Sequence, residues 1–239
     1  MAAKVITGYK AYLDHLLLTN TANAIAIENT VDVKESTVLS DTAKTFLPSL
    51  KSANISASGF VDLSASDSTL ISSLGLAGKV LQVFPNGLTE NEVSWFGEFL
   101  NGKYDCQAAV GEIYQYSIQG VSNSPMVRGY LNVWEPALTT TGTGYGDAQQ
   151  IGSTSSTQRL YAALNLSLNS GSSSIVFTIE SDDNPEFSSP TTRITFATVT
   201  GTITSLQSVQ IPAVDSYFRC KYVVTGAANW TFAMSIGIA

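Results

Sequence analysis

Residues 37–63, TVLSDTAKTFLPSLKSANISASGFVDL, decide the fold of the first half of the chain. The second half of this stretch alternates between apolar and polar residues, and this period of two predicts a β-strand over Ala53–Leu63. The first half is polar and rich in turn-forming residues, so it predicts a long loop before the strand. Loops of this length inside compact domains are commonly functional. An ordinary surface loop is the competing interpretation.

Several other stretches before Pro136 show the same alternation, and two segments differ from it. Ser66-Asp67 can cap a helix, and Leu70, Ile71 and Leu74 are spaced to share one helix face, so a short helix is predicted that ends at Gly75 or Gly78. The segment 90–99 is acidic and aromatic and fits neither period. The predicted strands of this half, besides Ala53–Leu63, cover 24–33, 79–84, 104–110, 114–120 and 126–134.

The composition changes after Pro136. Glycine, serine and threonine dominate residues 137–158 and apolar residues are few, which is typical of a linker. We therefore predict a β-domain over 1–136, a linker over 137–158 and a second domain over 159–239.

The segment 159–239 contains short apolar–polar alternations at regular spacing. Such spacing predicts a β-sandwich or barrel. The sequence as a whole therefore predicts an all-β protein with one short helix. The predicted strands of this half cover 160–168, 175–179, 193–199, 206–211, 217–224 and 230–238.

The charge balance argues against a nucleic-acid binder. Among 239 residues only 13% are charged, and the net charge is −7. The chain carries −5 before Pro136 and −2 after it, with no cluster of Lys or Arg that could neutralise phosphates. An acidic balance is compatible with a channel through which DNA slides without adhering.

Cysteine usage and hydropathy limit the other possibilities. Cys106 and Cys220 are too few and too distant for a disulfide framework, so both are expected to be free and at least half-buried. The first residues lack the apolar core and cleavage site of a signal peptide, and no apolar run is long enough to span a membrane. We therefore expect no membrane insertion.

No set of residues predicts an enzyme. The single histidine, His15, neighbours Asp14, but no nucleophile motif accompanies the pair. Asp182–Glu186 lacks the spacing of a calcium loop and is better explained as an Asx-type turn. Gly142–Gly146 lacks the Lys-Ser/Thr of a phosphate loop. We expect no catalytic residue, cofactor or metal.

The aromatic residues support an alternative. Trp95, Phe96, Phe99, Trp230 and Phe232 could form a platform for sugars, although core packing is the commoner role of such residues. A two-domain β-sandwich module that binds carbohydrates or a surface therefore remains open.

The order of motifs along positions 1–135 resembles the tail tube (major tail) proteins of long-tailed bacteriophages of the siphophage type. The similarity begins with Ser40-Asp41-Thr42, Lys44 and Phe46–Lys51, and it continues with Gly59–Asp62 at the end of the predicted strand. Further matches are Tyr114–Gly120 and Pro125–Gly129. The segments 181–196, 217–219 and 230–232 are similar, more weakly, to small C-terminal β-sandwich domains of phage tail proteins.

The resemblance implies a tail-tube-type β-sandwich or barrel followed by a C-terminal β-sandwich domain on the outside. It implies self-assembly into rings, usually of six subunits, that stack into a hollow tube; a trimer forming a pseudo-sixfold ring is the alternative. The implied partners are the tape-measure protein, the tail terminator and the baseplate or tail-tip proteins, with DNA only as passing cargo. The implied location is the virion tail, assembled in the host cytoplasm.

The resemblance also assigns a role to the polar loop, which would contact the neighbouring ring. Residues of Ala53–Leu63 and Tyr114–Gly120 that face away from the core would line the lumen or the seams between subunits. The predicted inter-ring loop residues are Ser40, Asp41, Thr42 and Lys44, with Phe46, Leu47 and Leu50 as apolar anchors.

Overall fold

A computed structural model describes residues 8–38, 42–63, 66–152, 155, 157–211 and 215–239, excluding the side chains of residues 49 and 50. The regular structure of the described residues is almost entirely antiparallel β-strand, with one short α-helix, which confirms the predicted fold class. The strands are β1 Lys10–Leu13, β2 Leu16–Leu17, β3 Ala22–Glu35, β4 Phe46–Phe60, β5 Lys79–Phe84, β6 Val93–Gln107, β7 Gln115–Ser122, β8 Val127–Leu138, β9 Gly142–Tyr145, β10 Gln149–Gln150, β11 Leu160–Gly171, β12 Ser174–Asp182, β13 Thr191–Thr195, β14 Ile203–Val209, β15 Tyr217–Thr225 and β16 Ala228–Ile238, with a 3₁₀ turn at Leu18–Asn20 and helix α1 at Ser66–Ser72.

The chain divides into two compact units that do not follow the predicted boundary at Pro136. The sandwich unit consists of Met1–Asn20, Lys79–Gly97 and Val127–Ala239. The sheet unit consists of Thr21–Gly78 and Glu98–Met126. Each unit is therefore built from separate stretches of sequence.

The sandwich unit contains two sheets with a shared core. One sheet has the order β14-β11-β16-β8, followed by the beginning of β6 and then β5, β1 and β2. The other has the order β10-β15-β12-β13, with β9 also paired to β15. Phe177 of β12 and Phe232 of β16 meet edge to face with ring centroids 4.9 Å apart, and both are buried. The apolar positions predicted from the alternation within 159–239 thus form this core.

The predicted linker is wrong in part, because it contains β9 and β10, which belong to the second sheet. β9 pairs with β15 from Gly142 opposite Val224 to Tyr145 opposite Lys221. A side chain at Gly144 would lie 2.2 Å from the ring of Tyr222, so this strand requires glycine for close packing. A strand made of glycine and threonine has the composition of a linker, and only its pairing distinguishes the two.

The boundary at Pro136 also lies inside a strand. β8 continues through Pro136 to Leu138 and pairs with β16, with Leu138 opposite Trp230. This pairing gives β16 a second neighbour, and it places Val133 of β8 in the core of the sandwich unit. A strand from the first half of the sequence thereby completes the fold of the second half.

The sheet unit is a four-stranded antiparallel sheet with the order β3-β4-β7-β6, the last strand contributing residues after Gly97. Helix α1 belongs to the same unit. The Asn101 side chain of β6 donates hydrogen bonds to the Leu70 carbonyl (3.2 Å) and the Ser73 hydroxyl (3.0 Å), which fixes the end of the helix to the strand. Leu70 is buried, but Ile71 and Leu74 are exposed, so the predicted common apolar face is not buried as a whole.

Candidate assembly surface

The longest hairpin of the chain extends beyond the rest of the sheet unit. β3 has 14 residues and β4 has 15, whereas β7 has 8 and pairs with β4 only over Asn54–Phe60. Residues 30–35 and 46–52 therefore pair only with each other within the described part of the chain, and together with their connection 36–45 we call them the ribbon. At 3.3 Å per residue, six or seven residues extend about 20 Å.

The ribbon corrects the prediction of a long loop over residues 37–50. Phe46, Leu47 and Leu50 lie in β4, and Phe46 is opposite Glu35 while Leu47 is opposite Lys34. The residues predicted to be anchors in a loop are therefore part of a strand. The backbones of Phe46 and Leu47 pair with those of polar residues in β3. The Leu50 side chain is outside the description.

The connection at the end of the ribbon contains the other predicted site residues. Thr42 and Lys44 are exposed there, and Ser40 and Asp41 lie outside the described residues. The Lys44 ammonium is 3.0 Å from the Glu35 carboxylate, and the Lys34 ammonium is 2.7 Å from that of Asp32. Exposed ion pairs contribute between zero and about 1 kcal/mol each, so the ladder between the strands is the main support of the ribbon.

One face of the β3–β4 hairpin is mainly apolar, interrupted by Asn29 and Lys51, and only part of it is covered. Ala53, Ile55 and Ala57 of β4 are buried. The same face continues into the ribbon, where Val31 and Val33 of β3 are exposed. Phe46, opposite Glu35, and Leu47, opposite Lys34, are 55% and 61% exposed and point to opposite faces of the hairpin. Large exposed apolar groups grouped in this way are typical of interaction surfaces.

The opposite face of the sheet unit is polar. Ser56 is opposite Gln119 and Ser58 is opposite Ser117 on neighbouring strands β4 and β7. Glu28 also lines the shallow groove on this face, and at the far strand Lys103 pairs with Asp105 at 2.5 Å. The two stretches that the sequence predicts to face away from the core are therefore neighbours on one weakly charged surface.

Both edges of this sheet are open in the described part of the chain. β3 pairs only with β4, and residues Lys103–Gln107 of β6 pair with β7 on one side and with no strand on the other. Because every neighbouring pair is antiparallel, strand directions alternate across β3, β4, β7 and β6. The two edge strands consequently run in opposite directions.

A second exposed apolar surface, which was not predicted from the sequence, lies at the other end of the same sheet. It comprises the end of β4, the residues after it and the β6–β7 turn. Its only sequence signal is the pair of apolar residues that flank Gly111-Glu112. The exposed apolar residues are Phe60, Leu63, Val110, Ile113 and Tyr114.

His15 and Asp14 do not form a catalytic pair. His15 is exposed, whereas Asp14 is buried. The Asp14 carboxylate is 2.8 Å from the Lys79 ammonium and accepts hydrogen bonds from the Val80 amide and the Thr204 hydroxyl, both at 3.0 Å. These partners give Asp14 a structural role between strands of the sandwich unit.

Asp182–Glu186 forms Asx turns, as predicted. The Asp182 carboxylate accepts backbone hydrogen bonds from Ser189 (2.9 Å) and Asn184 (3.1 Å), and the Asn184 side chain accepts one from Glu186 (2.9 Å). The bond from Ser189 is the main reason why the pKa of Asp182 is lowered. Among the described residues, no group of three or more His, Cys, Asp or Glu is arranged to hold a metal.

The aromatic residues considered as a sugar platform are mainly core residues. Phe96, Phe99, Trp230 and Phe232 are buried, and Trp95 is half-buried. Buried rings cannot stack on a sugar, so core packing is the role that the structure supports.

A charged cluster in the sandwich unit is internally paired. Arg219 donates two hydrogen bonds to the buried Glu180 carboxylate, at 3.1 and 2.9 Å. The rings of Tyr145 and Phe187 lie over the same guanidinium, at 4.3 and 4.1 Å. Arg219 thereby connects β9 and the turn after β12 to β15.

Both cysteines are free, as predicted. Cys106 is half-buried and Cys220 is buried, and burial raises the pKa of the Cys220 thiol. No described helix is long and apolar enough to cross a membrane.

Several solved structures are similar in fold. A chain of the native gene transfer agent virion has 16% identity and a TM-score of 0.43, covering 53% of this chain and 98% of that one. A chain of the empty gene transfer agent tail, refined with C6 symmetry, has 16% identity and a TM-score of 0.38, covering 45% and 81%. The Dit protein of phage SPP1, described as a paradigm of the hub adsorption apparatus, has 10% identity and a TM-score of 0.37, covering 95% and 98%.

No model of a known protein family matches the sequence, and a search of the curated proteins finds no match. At these identities and TM-scores the similar structures do not define a family. The functional proposal therefore depends on the chain's own surfaces.

Proposed function

We propose that this chain is a structural protein of a bacteriophage tail, whose copies join side by side into a ring and whose rings stack into a hollow tube. The resemblance of its motif order to tail tube proteins gives the biological setting. In that setting the tube encloses the tape-measure protein and later conducts DNA to the host. Six copies form the ring, and tail terminator and baseplate or tail-tip proteins occupy the tube ends.

The observation that carries the proposal is the pair of open edges on the sheet unit. Open edges invite uncontrolled pairing, and closure into a barrel removes them. Because β3 and β6 run in opposite directions, β3 of one copy can extend the antiparallel sheet of the next at β6. Each copy contributes four strands whose directions alternate. Copies can therefore be added around a closed ring with every neighbouring pair of strands antiparallel.

The polar face supports the assignment of an inside and an outside to that ring. A lumen for DNA requires wetted side chains without excess positive charge, because Lys and Arg bind phosphates. The face with Ser56, Ser58 and Gln119 meets this requirement, and Glu28 adds one negative charge to it. The apolar face would then lie on the outer side of the barrel wall.

The ribbon supports contact between rings. It extends along the strand direction, which in a barrel is inclined to the axis by about 35–45°, so it points out of the plane of the ring. Phe46 and Leu47 are exposed on it, and Thr42 and Lys44 lie at its end. We propose these residues, with Ser40, Asp41 and Leu50, as the inter-ring segment.

Negative-stain electron microscopy at rising protein concentration, with sedimentation velocity in parallel, tests the proposal. We expect rings and then hollow tubes of uniform width, with sixfold top views; threefold top views would indicate the trimeric alternative. A monodisperse monomer at every concentration would contradict self-assembly, and a glycan-binding screen would then test the carbohydrate-binding or surface-binding module.

A further inference from the structure

The edge strand β3 directs the backbone of every second residue toward its open side. The Ala53 amide of β4 donates to β7, so Ala53 and the opposite Asn29 form a non-hydrogen-bonded pair. The N–H and C=O of Asn29 therefore face the open edge, and those of Ile27 and Ile25, two and four residues earlier, do the same. Ile25 and Ile27 are opposite buried residues of β4, so their side chains lie on the apolar face.

The open stretch of β6 has the same relation between backbone direction and face. Because Ala53 faces β7, Ala57 in the same strand does so too, and it bonds to Ile118 of β7. Ile118 therefore points away from β6, and the backbone of Tyr104, opposite Ile118 on β6, faces the open edge. Cys106, two residues further on, does the same. The side chains of Tyr104 and Cys106 share the face of Ala57, which is the apolar one.

These directions restrict how the two edges can pair between copies. A hydrogen-bonded ladder forms only where residues that face the open edge on β3 are opposite residues that face it on β6. On both strands these residues carry their side chains on the apolar face. Every permitted register therefore joins the apolar face of one copy to the apolar face of the next, and permitted registers differ in steps of two residues.

One permitted register gives complementary neighbours on both faces. It brings half-buried apolar and aromatic side chains together on one face and opposite charges together on the other. The opposed residues are Ile27 with Tyr104 and Ile25 with Cys106 on the apolar face, and Glu28 with Lys103 on the polar face. Glu28 and Lys103 would be a non-hydrogen-bonded pair, in which side chains are closest, and opposite charges there stabilise strand pairing. Asn29 would then face the exposed Gly102 at the end of this ladder.

The other permitted registers of Tyr104 along β3 lack this complementarity. Each of them places a polar residue opposite Tyr104 or Cys106, or places like charges opposite each other. Like charges directly opposite each other destabilise a strand pair. Along β3, the mismatched pairs of the successive registers are Asn23–Tyr104, Asn23–Cys106, Asn29–Tyr104, Asn29–Cys106, Lys34–Lys103 and Glu35–Tyr104.

We infer that copies of this chain join in the complementary register, which is set by an ion pair between Glu28 of one copy and Lys103 of the next. The inference rests on the proposed function and deepens it, because pairing of β3 with β6 leaves the register open. Lys103 already pairs with Asp105 of its own strand at 2.5 Å. Each seam would therefore carry a lysine held by two carboxylates, so that no free ammonium group faces passing DNA.

Charge reversal tests the ion pair. Glu28→Lys and Lys103→Glu each place like charges at the seam, so each should raise the concentration at which half of the protein is in rings by at least about tenfold. The double variant should return that concentration to the wild-type value. An equimolar mixture of the two single variants should also form rings, in which they alternate, because each then meets the opposite charge at both edges. Glu186→Lys, at an exposed position of the sandwich unit, is the matched control and should form rings as the wild type does.

Disulfide formation tests the register. Ala26→Cys and Asp105→Cys, combined in a Cys106→Ser chain, would be opposite each other across the seam, and both positions are exposed in one copy. Within one copy β4 and β7 separate them. Oxidised rings should therefore give a series of bands up to the mass of a closed ring on non-reducing electrophoresis. Ala24→Cys with Asp105→Cys is the control, and it should stay monomeric because a shift of two residues takes the Cα atoms beyond the roughly 7 Å that a disulfide can bridge.

Sedimentation velocity and electrophoresis separate the outcomes. Rings without the disulfide between positions 26 and 105, or with one at the shifted pair instead, would overturn the register while leaving ring formation intact. A double variant and a mixture that both fail to form rings would overturn the ion pair. Absence of rings in every protein, the wild type included, would refute the proposed function itself. Far-UV circular dichroism verifies that each variant is folded.

Discussion

Asp182 shows how single residues stabilise the irregular parts of this β-protein. The turn after β12 leaves backbone amides without ladder partners, and the carboxylate of Asp182 accepts those of Ser189 and Asn184 on its two oxygens. Hydrogen bonds to a carboxylate favour its ionised form, which is why the pKa of Asp182 lies below its ordinary value of 3.8. The stability of the folded turn therefore depends on pH.

We expect Asp182→Asn to lower the melting temperature at neutral pH, because an amide has one acceptor oxygen where the carboxylate has two. Since the folded pKa is depressed, the stabilisation by the carboxylate is fully present above its unfolded pKa and is lost as pH falls through the folded one. The difference in melting temperature between the variant and the wild type should therefore be constant from about pH 5 to 8 and shrink below about pH 4.

Scanning calorimetry across this pH range measures the difference. Glu186→Gln, an exposed carboxylate of the same turn, is the control. A difference that persists unchanged into acid would assign the stabilisation to something other than the ionised Asp182.

In the proposed ring, β3 is an edge strand that would pair with the neighbouring copy, and the direction of its amides can be deduced. The Ala53 amide donates to the Ser122 hydroxyl on β7 at 3.1 Å, so it points away from β3. Asn29 is opposite Ala53, and residues of such a non-hydrogen-bonded pair both direct their amides outward. The N–H of Asn29 therefore points toward the open edge.

Asn29→Pro should abolish ring formation and leave the monomer folded. Proline removes an N–H that makes no bond within the hairpin but would donate to the neighbouring copy, and proline is tolerated at edge strands. Asn29→Ala keeps the N–H and should form rings as the wild type does. Size-exclusion chromatography with light scattering gives the mass of each variant, and rings from both in equal yield would show that this edge is not used.

At the scale of the whole molecule, the low charge density and the net charge of −7 fit a conduit better than a DNA-binding protein. Ser56 and Gln119 are directly opposite each other on the polar face. A pair of lysines there would be repeated in every copy around the lumen and would face the phosphates of passing DNA.

Assembled wild-type rings should not retard duplex DNA at about 0.15 M salt. The double variant Ser56→Lys with Gln119→Lys should retard it, and the retention should fall steeply as salt rises. The double variant Thr143→Lys with Ser172→Lys, at exposed positions of the sandwich unit, is the charge-matched control. Retardation by the wild type, or equal retardation by the control, would contradict the lumen assignment.

The amino-acid sequence by itself determined the all-β fold and most of its strands. The alternation of Ile175, Phe177 and Ile179 is local information, because side chains in a strand point alternately to opposite faces whatever the strand pairs with. The turn at Asp182 could be predicted because Asx side chains bond to nearby backbone amides, and the free cysteines because two distant thiols cannot form a disulfide framework. The polar loop was recognised as a special segment, but Phe46 and Leu47 were placed in it rather than in β4.

Only the tertiary structure decided which strands are neighbours, because pairing between residues such as Leu138 and Trp230 leaves no local signal. Pairing between distant residues places β8 in the sandwich unit and makes Gly142–Tyr145 a strand. It also extends β3 and β4 into the ribbon. The open edges and the two exposed apolar ends follow from that pairing as well. Apolar residues that alternate along a strand give the same sequence pattern whether they are buried or exposed. Only the arrangement of the other strands determines which of these residues are covered within the chain and which remain exposed for contact with a partner.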